Sequence, residues 1–178
     1  MIDICNVLVL NFSQTDMSIT IDLATVPGLP ESLRRRAQRF VKHDQTILLY
    51  GFPLTSSYST RRMNEISPPP ELSKSELSGS EPGNQETGST LGEQIIDLED
   101  HLTELCSAIW PEDLIGLDSG DFEDDSEYNF VLVLARLPAI NQQLELPNDE
   151  TLKKLKEILA KDGIDSEPGW FLKANLYD

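Results

Sequence analysis

Apolar and polar positions along the chain fall into a few well-defined runs. Residues 5–12, CNVLVLNF, form an apolar, β-rich run that predicts a buried strand. In MSITIDLA, residues 17–24, Ile19, Ile21 and Leu23 alternate with Ser18, Thr20 and Asp22, the period of a half-buried strand. A hairpin between these two strands is expected across the turn-like SQTD. VPGLP then interrupts the pattern, and Pro30 stands where the first turn of a helix tolerates it. The next run, ESLRRRAQRFVKH (31–43), places Leu33, Ala37, Phe40 and Val41 on one helical face and its arginines mostly on the others. QTILLYGFP (45–53) returns as a strand.

The pattern fails over residues 54–92, which are rich in Ser, Pro, Gly and Glu and poor in large apolar side chains. A stretch this long without a core pattern predicts a flexible, linker-like or disordered internal loop over 54–90. Periodicity then resumes sharply. Thr90-Leu91-Gly92-Glu93 matches a capping box, in which Thr hydroxyl and Glu carboxylate satisfy the opening amides reciprocally. Leu91, Ile95, Leu98, Leu102, Leu105 and Ile109 follow at alternating spacings of four and three, one stripe of a helix that Pro111 closes. NFVLVLARLP (129–138) is a continuous apolar run, as in a strand covered on both faces. LPNDETLKKLKEILAKDG reads as a third helix stopped by Gly163, and GWFLKANLY (169–177) as a last strand.

Strands and helices therefore interleave. The expected class is α+β, with one mixed or antiparallel sheet, about three helices and the long internal loop. The elements on each side of 54–90 are few and short, so a single domain over 1–178 is preferred to two.

Charge changes the picture more than composition does. The formal net charge is −17, and it is segregated: residues 1–65 hold seven Lys/Arg against six Asp/Glu, whereas 66–178 hold seven against twenty-five. Such a surface repels nucleic-acid phosphates and anionic lipid heads and favours basic protein partners or cations. Cys5 and Cys106 lie far apart in apolar contexts and form no C-x-x-C, so both read as buried thiols of a reducing compartment. The apolar N-terminal run is preceded by an acidic residue and is too short to span a bilayer. No membrane association is expected and a cytoplasmic location is.

The densest charge lies in GLDSGDFEDDSEYNF, where six carboxylates fall between Asp118 and Glu127. Its spacing fails the EF-hand pattern. Counting from Asp121, position six is Ser126 and position twelve is Leu132; counting from Asp118, position twelve is Asn129. No metal and no cofactor are expected, and residues 118–127 should form an exposed, irregular loop. DSGDFE resembles the Asp-Ser-Gly core of eukaryotic phosphodegrons, which would imply phosphorylation of Ser119, although Glu123 stands where that family has a second phosphorylatable serine. MSITIDLATVPGLPESLRRRAQRFV resembles the opening of ribbon-helix-helix DNA-binding antitoxins. That resemblance would aim Ser18, Thr20 and Asp22 at a major groove. It breaks down where TILLYGF replaces the second helix. The preferred reading is an amphipathic helix whose arginines pair with the protein's own carboxylates.

Support for catalysis is thin. His101 and Cys106 are five residues apart on a predicted helix and point to different faces. There is no G-x-S-x-G, Gly-rich phosphate loop or H-E-x-x-H. Trp110 and Trp170, each near a proline, read as structural anchors. The expected function is a non-enzymatic cytosolic interaction protein (inhibitor, immunity-type or adaptor) that binds a basic protein through Glu99, Asp100, Asp118, Asp121, Glu123, Asp124 and Asp125. A DNA-binding regulator using strand 17–24 and helix 31–43 is the alternative, with nucleic acid disfavoured by the charge. An enzyme of unrecognised type comes third.

Overall fold

The computed structural model describes residues 8–9, 22–39, 48–68, 90–122, 127–137 and 143–174. Seven strands and four α-helices alternate along them: β1 (Leu8–Val9), α1 (Glu31–Ala37), β2 (Leu48–Thr55), α2 (Ser56–Ile66), α3 (Leu91–Ser107), β3 (Gly116–Asp118), β4 (Gly120–Asp121), β5 (Tyr128–Leu137), β6 (Gln143–Leu144), α4 (Asp149–Asp162) and β7 (Gly169–Lys173). The class is α+β. Five strands form one antiparallel sheet in the order β3-β5-β2-β7-β4, and β1 pairs antiparallel with β6 outside it. The central strand β2 lies between β5 and β7, so the sheet joins elements from both sides of residues 69–89.

The two outer strands are neighbours in sequence, separated only by Ser119. In a flat sheet of five strands they would stand about 19 Å apart, four inter-strand spacings. A single intervening residue allows about 7 Å. The sheet therefore curls until its edges meet on one segment, 116–121, which pairs with β5 through its first half and with β7 through its second. Ala174 donates its amide to the Ser119 carbonyl at 2.8 Å, continuing the pairing next to the break. Register shifts in β2 between Tyr50 and Gly51 and between Leu54 and Thr55 supply local bending. At Gly51 the backbones pass so closely that a Cβ would stand 1.9 Å from the Leu132 carbonyl oxygen.

Inside the curl, Leu49, Val131 and Val133 are fully buried, with Phe122 and Phe171 packed against them. The outer face carries two larger clusters. Helices α2, α3 and α4 cover Phe52, Leu54, Leu132 and Leu134 with Tyr58, Met63, Leu98, Leu102, Leu155 and Leu159. Leu23, Val26, Leu29 and Ala37 cover Leu48, Ala135, Leu137, Trp170 and Leu172. Both tryptophans anchor as expected: Trp110 Nε1 donates to the Leu134 carbonyl and Trp170 Nε1 to the Pro27 carbonyl, each at 3.0 Å. At about 25 cal/mol per Å² of apolar surface, these large buried side chains are the main favourable term.

The capping box at Thr90 and Glu93 forms, β5 is buried on both faces from Val131 to Ala135, and Gly163 ends α4 in the left-handed conformation at φ 97°. Several expectations need correction. Residues 54–66 are not loop: β2 runs on to Thr55, whose hydroxyl caps α2 by accepting the Tyr58 amide. This brings the helices among the described residues to four. The rest of the expected loop, 69–89, lies outside the described residues. Of the expected hairpin between 5–12 and 17–24, most lies outside the described residues; Leu8–Val9 pairs with β6. Leu23–Thr25 is a 3-10 turn opened by Asp22, not the end of a strand, and residues 17–21 lie outside the described residues. Helix α1 ends at Ala37, short of the expected 43. Residues 118–121 are not irregular loop but sheet, because they complete the closure. On α3, Leu98 and Leu102 are fully buried and Leu105 partly, but Leu91 is 65% exposed in the first turn.

Candidate functional site

The expected docking carboxylates separate into three groups. Asp118 and Asp121 sit on either side of the Ser119 break and are engaged within the fold. Asp118 pairs with Lys173 of β7 at 2.9 Å, and Asp121 with Arg36 of α1 at 2.6 Å. Glu99 turns to the flank of α3 and accepts the Leu117 amide at 3.3 Å, bracing β3. Asp100 is exposed on the outer face of α3. Glu123, Asp124 and Asp125 lie outside the described residues.

Asp100 belongs to a strip that sequence reasoning did not separate out. Asp97, Asp100 and Glu104 follow one another at spacings of three and four, so they line one side of α3. That side is opposite the buried Leu98, Leu102 and Cys106. Among the described residues none of the three carboxylates has a hydrogen-bond or ion-pair partner. Ile96 stands beside them, 58% exposed. The strip could have been found by reading the polar stripe of the predicted helix as carefully as its leucine stripe.

Where α2, α3 and α4 meet, side chains form a partly buried polar junction. Asp162, at the C-terminal end of α4, has its side chain 12% exposed. Its Oδ2 accepts from the Tyr58 hydroxyl at 2.5 Å and lies 3.3 Å from His101 Nε2. Its Oδ1 accepts from Arg62 Nη2 at 2.7 Å. Arg62 Nε also donates to His101 Nε2 at 3.2 Å, and Nη1 to Glu65 at 2.8 Å. Burial alone would raise the Asp162 pKa; the hydrogen bond from Tyr58, the adjacent His101 and the Arg62 charge outweigh it and hold the carboxyl below its ordinary range. Burial and the same carboxylate push the Tyr58 hydroxyl strongly upward. Cys106 is fully buried, and burial together with Asp162 raises its thiol to about 11, so it stays protonated and unreactive at neutral pH. Tyr58, Arg62, His101 and Asp162 come from three helices, which is why sequence spacing, which sets His101 only against Cys106, does not assemble them.

The junction is internally saturated: each oxygen of Asp162 already receives a donor, so the group ties three helices together. Among the described residues no three His, Cys, Asp or Glu side chains are grouped to hold a metal ion. Among them, too, no helix is long and apolar enough to cross a membrane. The basic residues of α1 are engaged within the fold, Arg34 and Arg35 with Glu31 on the same helix and Arg36 with Asp121 of β4. No family model, curated protein or solved structure matches the chain.

Proposed function

We propose that the protein is a non-enzymatic cytoplasmic interaction protein, of inhibitor, immunity or adaptor type, that binds a basic protein partner through the outer face of α3. The observation that supports this reading is the contrast in partnering. Asp118 and Asp121 are neutralised within the fold, whereas Asp97, Asp100 and Glu104 stand in line without partners among the described residues. Unneutralised like charges on one helix face oppose one another, and an incoming cationic surface relieves that repulsion. The free, buried thiol of Cys106 fits a reducing compartment. Among the described residues, the pairing of the α1 arginines with Glu31 and Asp121 argues against their use on DNA.

The test is affinity capture from the cells that make the protein, with the natural chain and an Asp97→Asn, Asp100→Asn, Glu104→Gln variant side by side. A basic protein should be recovered with the natural chain, lost at high salt, and recovered about tenfold less with the variant. A partner held equally by both chains would refute the assignment.

A further inference from the structure

The junction of α2, α3 and α4 contains one atom that faces two incompatible neighbours. His101 Nε2 lies 3.2 Å from Arg62 Nε and 3.0 Å from Arg62 Nη2, and 3.3 Å from Asp162 Oδ2. A guanidinium has no acceptor, so a bond from Arg62 needs the lone pair of Nε2 and places the neutral ring's proton on Nδ1. An ionised carboxylate has no donor, so a bond to Asp162 needs a proton on Nε2. One nitrogen cannot serve both, and a single proton decides between them.

Imidazole is the side chain whose ordinary titration falls between about pH 5 and pH 8. The His101 side chain is 24% exposed, which gives solvent protons access to it. In the neutral state Nε2 accepts from Arg62 and ties α3 to α2. A proton taken up on Nε2 sets donor against donor and cation against cation, so the bonds from Arg62 are lost. Nε2–H then donates to Asp162 Oδ2, which has a lone pair left beside the bond from Tyr58. Arg62 keeps Asp162 Oδ1 and Glu65. Protonation thus exchanges one partner for another.

The titratable and charged groups around the ring come from all three helices. Tyr58 and Arg62, with Glu65 behind Arg62, come from α2, and Asp162 from α4. On α3 itself Asp97 lies four residues before and Glu104 three after, one turn to either side, and Cys106 lies deeper. Asp162 is held below the ordinary carboxylate range, the Tyr58 hydroxyl is pushed strongly upward and the Cys106 thiol to about 11, so none of these three changes charge where an imidazole does.

We infer that His101 is a proton-operated switch between helix contacts: neutral, it joins α3 to α2 through Arg62; protonated, it joins α3 to α4 through Asp162. In acid α2 loses this polar tie to α3, while Tyr58 and Arg62 still hold it to Asp162 of α4. Nothing in the exchange depends on a partner at the outer face of α3.

Nuclear magnetic resonance of the full chain tests it. The chain has two histidines, so His43→Gln leaves the His101 ring as the one imidazole observed, without touching the junction. The Arg62 Nε–H signal is assigned by its absence in Arg62→Lys. At about pH 8 the ring nitrogens should report a neutral imidazole with its proton on Nδ1, and the Arg62 signal should be protected from exchange. As pH falls to about 5 that protection should be lost with the same midpoint as the ring's titration. His101→Gln supplies a side-chain carbonyl that accepts from Arg62 at every pH, so there the signal should stay protected in acid. A neutral ring with its proton on Nε2, or an Arg62 signal unchanged while the ring titrates, would overturn the switch. Both are read with His101 in place, so they decide the matter even if the glutamine variant does not fold. Equal loss of protection in His101→Gln would overturn it too, by assigning the change to another group.

Discussion

The carboxylates of strand 116–121 and those of α3 are the same chemistry in opposite surroundings. In the strand, Asp118 and Asp121 each meet a cation delivered by another element, Lys173 from β7 and Arg36 from α1. The two pairs flank the single residue where the sheet closes on itself, so the charges help hold a seam. On α3, Asp97, Asp100 and Glu104 project from the side opposite the core, and no cation reaches them among the described residues. What separates the groups is position: a carboxylate in the closing strand lies within reach of cations on neighbouring elements, whereas those on the outer side of α3 meet none among the described residues. Local density of acid in the sequence therefore does not tell which carboxylates the fold itself neutralises.

This comparison depends first on α3 being fixed by its inner face. Leu102→Ala should lower stability by about 2–5 kcal/mol in urea denaturation, the range for well-packed core leucines. A neutral result would mean that the leucine side of α3 is not the anchored one, and the assignment of inner and outer faces would fall with it.

The junction at Asp162 gives the next largest effect and carries a pH signature. Asp162→Asn removes a mostly buried carboxylate from Tyr58, Arg62 and His101, and should lower stability at neutral pH by about 2–3 kcal/mol. The folded-state pKa of Asp162 is depressed, so its stabilisation is complete above the unfolded carboxylate pKa and is lost as pH falls through the folded value. The difference between natural chain and variant should accordingly shrink in acid. A difference independent of pH would mean that the carboxylate charge contributes nothing there and only packing was lost.

Smaller effects belong to the seam. Lys173→Gln and Arg36→Gln should each lower stability by about 1 kcal/mol, as for partly exposed ion pairs, and should speed hydrogen exchange of amides in 116–122. Unchanged exchange there would show that the pairs do not hold the closing strand.

Much of the fold is legible in the sequence where one element carries its own signal. The capping box of Thr90 and Glu93, the leucine stripe of α3, the apolar run of β5 and the Gly163 stop all depend on neighbours within a few residues. Helix α2 was missed because SSYSTRRMNEI buries only Tyr58, Ser59 and Met63. Ser59 is buried as a hydrogen-bonded polar group, donating to the Thr55 carbonyl and lying within hydrogen-bonding distance of Asn129, so it leaves no apolar signature. The Thr55 cap and the i,i+3 pair of Arg62 with Glu65 were the available local cues. The closure at 116–121 was hidden for a different reason. Its stabilising partners, Lys173 and Arg36, lie far away in sequence, and without them the segment reads as solvated acid. The outer strip of α3 is present in the helical periodicity, and Asp100 counts among the expected docking carboxylates while Asp97 and Glu104 do not.

The most direct measurement compares urea denaturation, at low salt, of two amide-substituted chains, Asp118→Asn with Asp121→Asn and Asp97→Asn with Asp100→Asn and Glu104→Gln. The first should lose about 1–2 kcal/mol, because two neutralised cations are left without carboxylates. The second should lose nothing, or gain about 0.5 kcal/mol as like-charge repulsion along the helix is relieved. A loss in the α3 variant as large as that in the seam variant would show that those carboxylates are engaged in holding the fold, and would contradict their assignment as the surface kept free for a partner.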